Sequence, residues 1–225
     1  VDLDLLIELQ ARTDPFVVWA TSDIHQGLPG HPANDTTPGF RDEWKWIVEP
    51  KLILGDATAT IQFPDLPPEL IIVPDVAGNH DRCLGAPRSL RIGDTEFLHG
   101  DLFDPWVHKV VGRPVTWAVG KLEKKWPNAD CVLDSWALKL FVRGGRYGRA
   151  QHYLKAAAAY GKARGAKQVV FGHLHELIHN VTVDGIRITC TGCYCNDRRD
   201  IVPIVVNAVI SKQRGSHGST DGEVL

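Results

Sequence analysis

Five short polar motifs occur in one order along the chain: Asp23-Ile24-His25, Gly55-Asp56, Gly78-Asn79-His80-Asp81, His99-Gly100-Asp101 and Gly172-His173-Leu174-His175. Between them they offer carboxylates, one carboxamide and several imidazoles, a mixed oxygen and nitrogen donor set suited to a pair of divalent cations. Each motif sits at or just past the end of a short apolar run. Polar side chains at strand ends are where ligand sites assemble in α/β sheets. Taken singly, every motif has a plainer reading. His99 could be a surface or capping residue, and the alternating His173 and His175 could face opposite sides of a strand. Five in order, each behind an apolar run, point to one assembled centre.

The runs themselves are the elements that must position these groups. Phe16 to Thr21 reads as a buried strand delivering Asp23 and His25. Leu52 to Leu54 delivers Asp56, and Leu70 to Val73 reads as a third strand leading to Asn79 and His80. Leu90 to Ile92, a Gly93-Asp94 turn and Thr95 to Leu98 form a hairpin ending at His99. Gln168 to Phe171 delivers His173 and His175. A second hairpin is expected over Val181–Val183 and Ile186–Cys190, and a last strand over Ile201–Ile210, interrupted at Pro203. Val1 to Ala11 is an amphipathic helix with Leu3, Leu6, Ile7 and Leu5 inward. The segment Gln26 to Arg41, rich in Gly and Pro, reads as a loop, and helix is expected over Asp42–Val48.

Between the fourth and fifth motifs the pattern changes. From Leu102 to Lys167 helical spacing takes over, in Trp106–Lys125, Ala129–Val142 and Tyr147–Arg164. This stretch holds eight Lys and five Arg against Asp104, Glu123, Asp130 and Asp134, or +9. The remainder carries −11, an asymmetry hidden by the overall formal charge of −2. A basic helical unit leaving and returning beside the motifs is placed to meet an anion. It also carries Trp106, Trp117, Trp126 and Trp136, residues for packing or for an aromatic groove under a cap. We therefore expect one domain over 1–225, a helical cap at about 102–167, and a flexible tail at 211–225.

At 44% hydrophobic and 23% charged residues the chain is globular, and no run reaches the roughly 20 apolar residues of a membrane helix. Its start does not read as a signal peptide, so a cytoplasmic location is expected. Cys83, Cys131, Cys190, Cys193 and Cys195 are an odd set, which argues against a disulfide framework. Cys190, Cys193 and Cys195 read as thiols on a buried strand. Methionine is absent, where ordinary usage would give roughly five. His31, His108, His152, His179 and His217 match no motif.

The five motifs resemble the calcineurin-like metallophosphoesterase superfamily, whose pattern runs D-x-H, G-D, G-N-H-D, H and G-H-x-H. That resemblance covers Asp23 to His175. It implies an α+β fold, a four-layer α/β/β/α sandwich of two mixed sheets with the helical insertion as cap. It also implies two divalent metal ions, Mn first among Mn, Fe, Zn, Co and Mg. Asp23, His25 and His175 would complete one metal and Asn79, His99 and His173 the other, with Asp56 bridging. A shared water or hydroxide would be the nucleophile. Asn79 would also hydrogen-bond a phosphate oxygen. His80 would protonate the leaving oxygen or stabilise phosphoryl charge, with Asp81 holding its orientation. Asp101 reads as a helix N-cap rather than a partner of His99.

The insertion directly after His-Gly-Asp is similar to that of bacterial UDP-2,3-diacylglucosamine pyrophosphatases, which commonly have Arg where this chain has His80. The resemblance implies a hydrolase acting on a phosphoester or pyrophosphate bond of a small nucleotide or nucleotide-lipid. It implies contact with lipid or a membrane surface through the basic, Trp-rich insert, and a location peripheral to the membrane. A nuclease gripping a nucleic-acid backbone and a non-catalytic scaffold retaining the fold are the competing readings. The sequence leaves the oligomeric state open.

Overall fold

Alternation of apolar side chains divides the strands into faces, and the faces define the layers. The computed structural model of the chain describes residues 3–25, 33–61, 66, 68–104, 118, 121–122, 145–194 and 198–208. Strand β1 (Phe16–Thr21) lies between β2 (Lys51–Ile53), which is parallel to it, and β8 (Val202–Val206), which is antiparallel. A second, five-stranded sheet contains β3 (Ser89–Ile92), β4 (Thr95–Leu98), β5 (Gln168–Phe171), β6 (Leu177–Val183) and β7 (Ile186–Thr191) in the order β3-β4-β5-β7-β6. In it β4, β5 and β7 run parallel, and β3 and β6 are antiparallel edges. Both sheets are mixed.

From β1, Phe16, Val18 and Ala20 turn inward to meet Leu90, Ile92, Phe97 and Val170 of the larger sheet, and this is the core between the sheets. The neighbouring positions Leu98, Val169 and Phe171 point to the opposite face. There they pack on Tyr153, Leu154, Ala157 and Ala158 of a long helix, α3 (Gly145–Ala163). β5 is buried at all four positions, as a central parallel strand covered on both faces must be. On the outer side of the small sheet, Ile24, Ile53, Ala57 and Tyr194 pack with Phe40 of α2 (Ala33–Trp46). The layers are therefore α2, small sheet, large sheet and α3, the expected four-layer α+β arrangement.

Several local expectations are corrected. The third strand does not form. Pro68–Leu70 is a turn of 3-10 helix, and only Val76 makes a bridge, to Leu54. Side chains satisfy the backbone there instead of a ladder. Ile72 N donates to Thr58 Oγ1 at 2.8 Å, the Thr58 hydroxyl donates to Ile72 O, and Ile53 N donates to Asp75 Oδ2 at 2.8 Å. The helix α2 begins inside the stretch read as loop, despite Pro38 and Gly39. Tertiary packing outweighs that propensity, since Phe40 stacks on Trp44 and meets the Tyr194 ring edge. In α1 (Leu3–Ala11) the inward residues are Leu5, Leu6 and Leu9, while Ile7 is 57% exposed. Pro203 is inside β8 opposite Trp19, on an edge strand where its missing N–H goes unneeded.

Of the expected cap, the helix read at Tyr147–Arg164 is α3. The stretches Trp106–Lys125 and Ala129–Val142 lie almost wholly outside the described residues, with all four cap tryptophans, as do Cys195 and the tail at 211–225. No helix among the described residues is long and apolar enough to cross a membrane.

Candidate metal centre

The C-terminal ends of two parallel pairs, β1 with β2 and β4 with β5, meet across the sandwich. Asp23 and His25 follow β1, Asp56 follows β2, His99 follows β4, and His173 and His175 follow β5. Short backbone bonds fasten the loops to one another: Asp23 N donates to Gly55 O at 3.1 Å, His25 N to Asp56 O at 2.9 Å, and Gly172 N to His99 O at 2.8 Å. The chain turns sharply here. Asp23, His25, Asp56, His173 and His175 all hold positive φ, between 50° and 65°. Non-glycine residues seldom adopt that region, and a set of them at one place marks a site held by its surroundings.

Each carboxylate divides its two oxygens between anchoring and the centre. Asp23 Oδ2 accepts from His173 N at 2.8 Å and from Ser22 Oγ at 2.5 Å. Its Oδ1 is buried without a hydrogen bond, although His175 Nε2 stands 3.2 Å away, His25 Nε2 3.8 Å and His99 Nε2 4.0 Å. Asp56 Oδ1 accepts from His80 N at 2.8 Å. Its Oδ2 faces His99 Nε2 at 2.9 Å and His80 Nε2 at 3.7 Å.

The imidazoles converge in the same way. His25 Nε2 and His175 Nε2 are 3.2 Å apart, as are His99 Nε2 and His173 Nδ1, and Asn79 Oδ1 lies 3.2 Å from His99 Nε2. His99 Nδ1 sits 2.8 Å from Leu54 O, which fixes the tautomer and leaves Nε2 for the centre. Facing lone pairs this close repel unless a proton or a cation lies between them. The sets Asp23-Asp56-His99-His173 and Asp23-His25-His175 each bring ligand atoms within 4.8 Å of one another and could hold a metal ion. A third set, His25-Asp56-His80, overlaps both. Every residue of the five motifs expected to ligate is thus brought together, and the donor set fits divalent cations.

Burial and neighbouring charge pull the titrations apart. Burial opposes charge on His99, but the adjacent Asp56 and then Asp23 outweigh it and push His99 up to about 10. His175 is pushed up to about 9 against its burial, chiefly by Asp23. Its side chain is 43% exposed, so water screens part of that pull. Burial together with His80 and His175 holds His25 well below the usual imidazole range. Against the cost of burial, His99 and His80 hold the Asp56 carboxyl well below the carboxylate range, and His175 and His99 do the same for Asp23. Burial, reinforced by Asp56, raises Asp81 to about 6.

Two acidic residues have tasks other than those expected. Asp81 does not orient the His80 ring. Its carboxylate accepts from Gly78 N at 2.7 Å and from Ala57 N at 2.8 Å, fastening the two motif loops. Asp101 does not cap its helical turn. Its carboxylate takes Arg82 and, at 2.6 Å on each oxygen, Arg88. Arg88 also donates to Ala77 O and Gly78 O, bracing the loop that carries Asn79 and His80. Gly78 must be glycine, because a Cβ there would stand 2.5 Å from Asp56 N and nearer still to its Oδ1. The supporting residues Ser22 and Arg88 carry no local signature, and Arg198, which donates to His175 O at 2.7 Å, is equally unmarked. His152 reaches Phe103 O, and His179 is exposed. Cys190 and Cys193 are buried, and burial pushes the Cys190 thiol up to about 12.

No protein-family model matches the chain, and no curated protein matches it. Among solved structures it is similar to a conserved uncharacterized protein of Streptococcus pneumoniae TIGR4, described as a predicted phosphoesterase. Identity is 18%, covering 87% of this chain and 86% of that one, with a TM-score of 0.41. It is also similar to a single mutant of Vps29 from Entamoeba histolytica, at 14% identity over 85% and 98% of the two chains, TM-score 0.43. Vacuolar Protein Sorting 29 from Cryptosporidium parvum stands at 13% identity over 87% of both chains, TM-score 0.42. These are loose likenesses of chain path, and the functional reading rests on the side-chain geometry.

Proposed function

We propose that this chain is a metal-dependent hydrolase that cleaves a phosphoester or pyrophosphate bond at a centre of two divalent ions. The supporting observation is the division of labour within Asp23 and Asp56. One oxygen of each is spent on backbone or hydroxyl donors and the other is aimed at a cluster of imidazole nitrogens. A purely structural carboxylate would place both oxygens on donors, as Asp81 does. Asp23, His25 and His175 would hold one ion, Asn79, His99 and His173 the other, and Asp56 would lie between them. When bound, such ions supply positive charge to phosphoryl oxygens and acidify water.

The remaining chemistry belongs to the chain. His80 is buried, its ring edge-on to His25 at 5.1 Å and its Nε2 beside the Asp56 carboxylate. A proton carried on Nε2 is placed for delivery to the leaving oxygen. The Asn79 carboxamide presents its oxygen to the ligand cluster, which leaves its NH₂ to donate to a phosphoryl oxygen. Asp81 and Arg88 keep the loop that carries these two residues from drifting. The +9 insert favours an anionic, phosphate-bearing substrate. Its four tryptophans suit a nucleotide carrying an apolar group, which would bring the chain to a membrane surface.

The test is hydrolysis by metal-stripped protein resupplied with Mn²⁺, using bis-p-nitrophenyl phosphate, p-nitrophenyl phosphate and UDP-diacylglucosamine in parallel. Mn²⁺-dependent turnover is expected, with preference for the nucleotide-lipid. Protein that binds two ions and hydrolyses none of the three would be a binding scaffold instead.

A further inference from the structure

His173 turns its Nδ1 toward His99 at the centre, so its Nε2 points away. That outer nitrogen is buried and makes no hydrogen bond among the described residues. A buried N–H left in that state is costly. Asp104 Oδ2 faces it at 3.8 Å, about 0.6 Å beyond bonding reach. The carboxylate is almost fully buried and is itself fixed from two sides. Tyr153 donates its hydroxyl at 2.9 Å and Arg149 its Nη2 at 3.3 Å, both to Oδ2. The Tyr153 ring lies nearly parallel to the His173 ring, 23° between planes and 6.0 Å between centroids. Asp104 N donates to Asp101 O, tying the residue to the turn that follows His99.

We propose that Asp104 is a positioning residue for His173. It accepts a hydrogen bond from Nε2–H, holds the ring with Nδ1 directed at the metal, and makes that nitrogen a stronger donor. Arg149 offsets the charge that this would otherwise leave in a buried place. The inference rests on the two-metal reading above and deepens it. Asp104 immediately precedes residues 105–144, and Arg149 and Tyr153 stand in the helix that immediately follows them. Both ends of the insertion are therefore fastened at the outer nitrogen of one ligand.

The experiment is calorimetric titration of Mn²⁺ into metal-stripped wild type, Asp104→Asn and Tyr153→Phe. A thermal melt of each metal-free protein accompanies it. In wild type two ions bind. Asp104→Asn is expected to weaken one of them 10- to 100-fold and leave the other within about threefold. Tyr153→Phe, which removes only the hydroxyl, weakens the same ion several-fold. A merely structural Asp104 would weaken both ions together and in step with the fall in melting temperature. Histidine ring NMR of the Zn²⁺-loaded protein adds a direct signature: a protected His173 Nε2 proton, lost in Asp104→Asn and retained in Tyr153→Phe. Wild type binding two ions while both variants bind them unchanged would overturn the role of Asp104 alone. Wild type binding fewer than two ions would overturn the metal reading beneath it.

Discussion

Replacing Asp101 by Ala should be costly although the residue touches no expected ligand atom. Its carboxylate accepts three charge-assisted bonds, one from Arg82 and two from Arg88. Bonds to charged groups are worth about 1.5–3 kcal/mol each, so three fully buried ones would total about 5–9 kcal/mol. However, the two arginine side chains are 37% and 35% exposed. Solvent screens them, and after the loss of Asp101 they can turn to water. Arg88 also keeps its bonds to Ala77 O and Gly78 O. We therefore expect a loss of about 2–3 kcal/mol in urea unfolding. The matching fall in Tm is roughly 5–10 °C for a chain of this size. Arg82→Gln, which spares both Arg88 bonds, should lose less than about 1 kcal/mol. An Asp101→Ala loss below about 0.5 kcal/mol would refute the reasoning and mean that water already satisfies these arginines.

Other outcomes follow from the same geometry. His80→Ala should lower turnover on bis-p-nitrophenyl phosphate by roughly 10²–10⁴ while calorimetry still counts two bound ions; normal turnover would remove His80 from the reaction. Gly78→Ala should displace the Asp56 carboxylate and cost about 1–3 kcal/mol by overpacking, with metal affinity falling alongside stability. The pH dependence concerns metal-free protein. His99 and His175 are raised from 6.5 to about 10 and about 9, so their contribution is complete below pH 6.5 and disappears as pH climbs through 9 and 10. The urea midpoint of metal-free protein should fall across that window, and a flat or rising midpoint would contradict it.

The sequence made the first-contact residues legible and left their supports hidden, for a physical reason. Candidate ligands such as Asp23, Asp56 and His173 come at strand ends in a fixed order, and strand ends can be read from apolar runs as clear as Phe16–Thr21 and Gln168–Phe171. The same runs revealed both hairpins, because Gly93-Asp94 and Asp184-Gly185 announce their turns. Arg88, Ser22 and Asp104 act across the fold, and nothing local distinguishes them from any other polar residue. The missing third strand has a related cause. Leu70–Val73 is apolar enough for a strand, but Thr58 and Asp75 supply side-chain partners to the backbone nearby. The part of helix α2 before Asp42 went unread because Pro38 and Gly39 argue locally against it, while the Tyr194 ring that Phe40 meets lies far along the sequence.

Strands β4 and β5 are adjacent and parallel, so the chain leaving one must cross a sheet face before entering the other. Helix α3, packed on Val169 and Phe171, completes that crossing by itself. Residues 105–144 are thus surplus to the topology, and their two ends are already held together where Asp104 meets Arg149. The inserted residues can therefore vary so long as Asp104 and Arg149 keep that contact. Chains sharing this fold could exchange one insert for another without refolding either sheet.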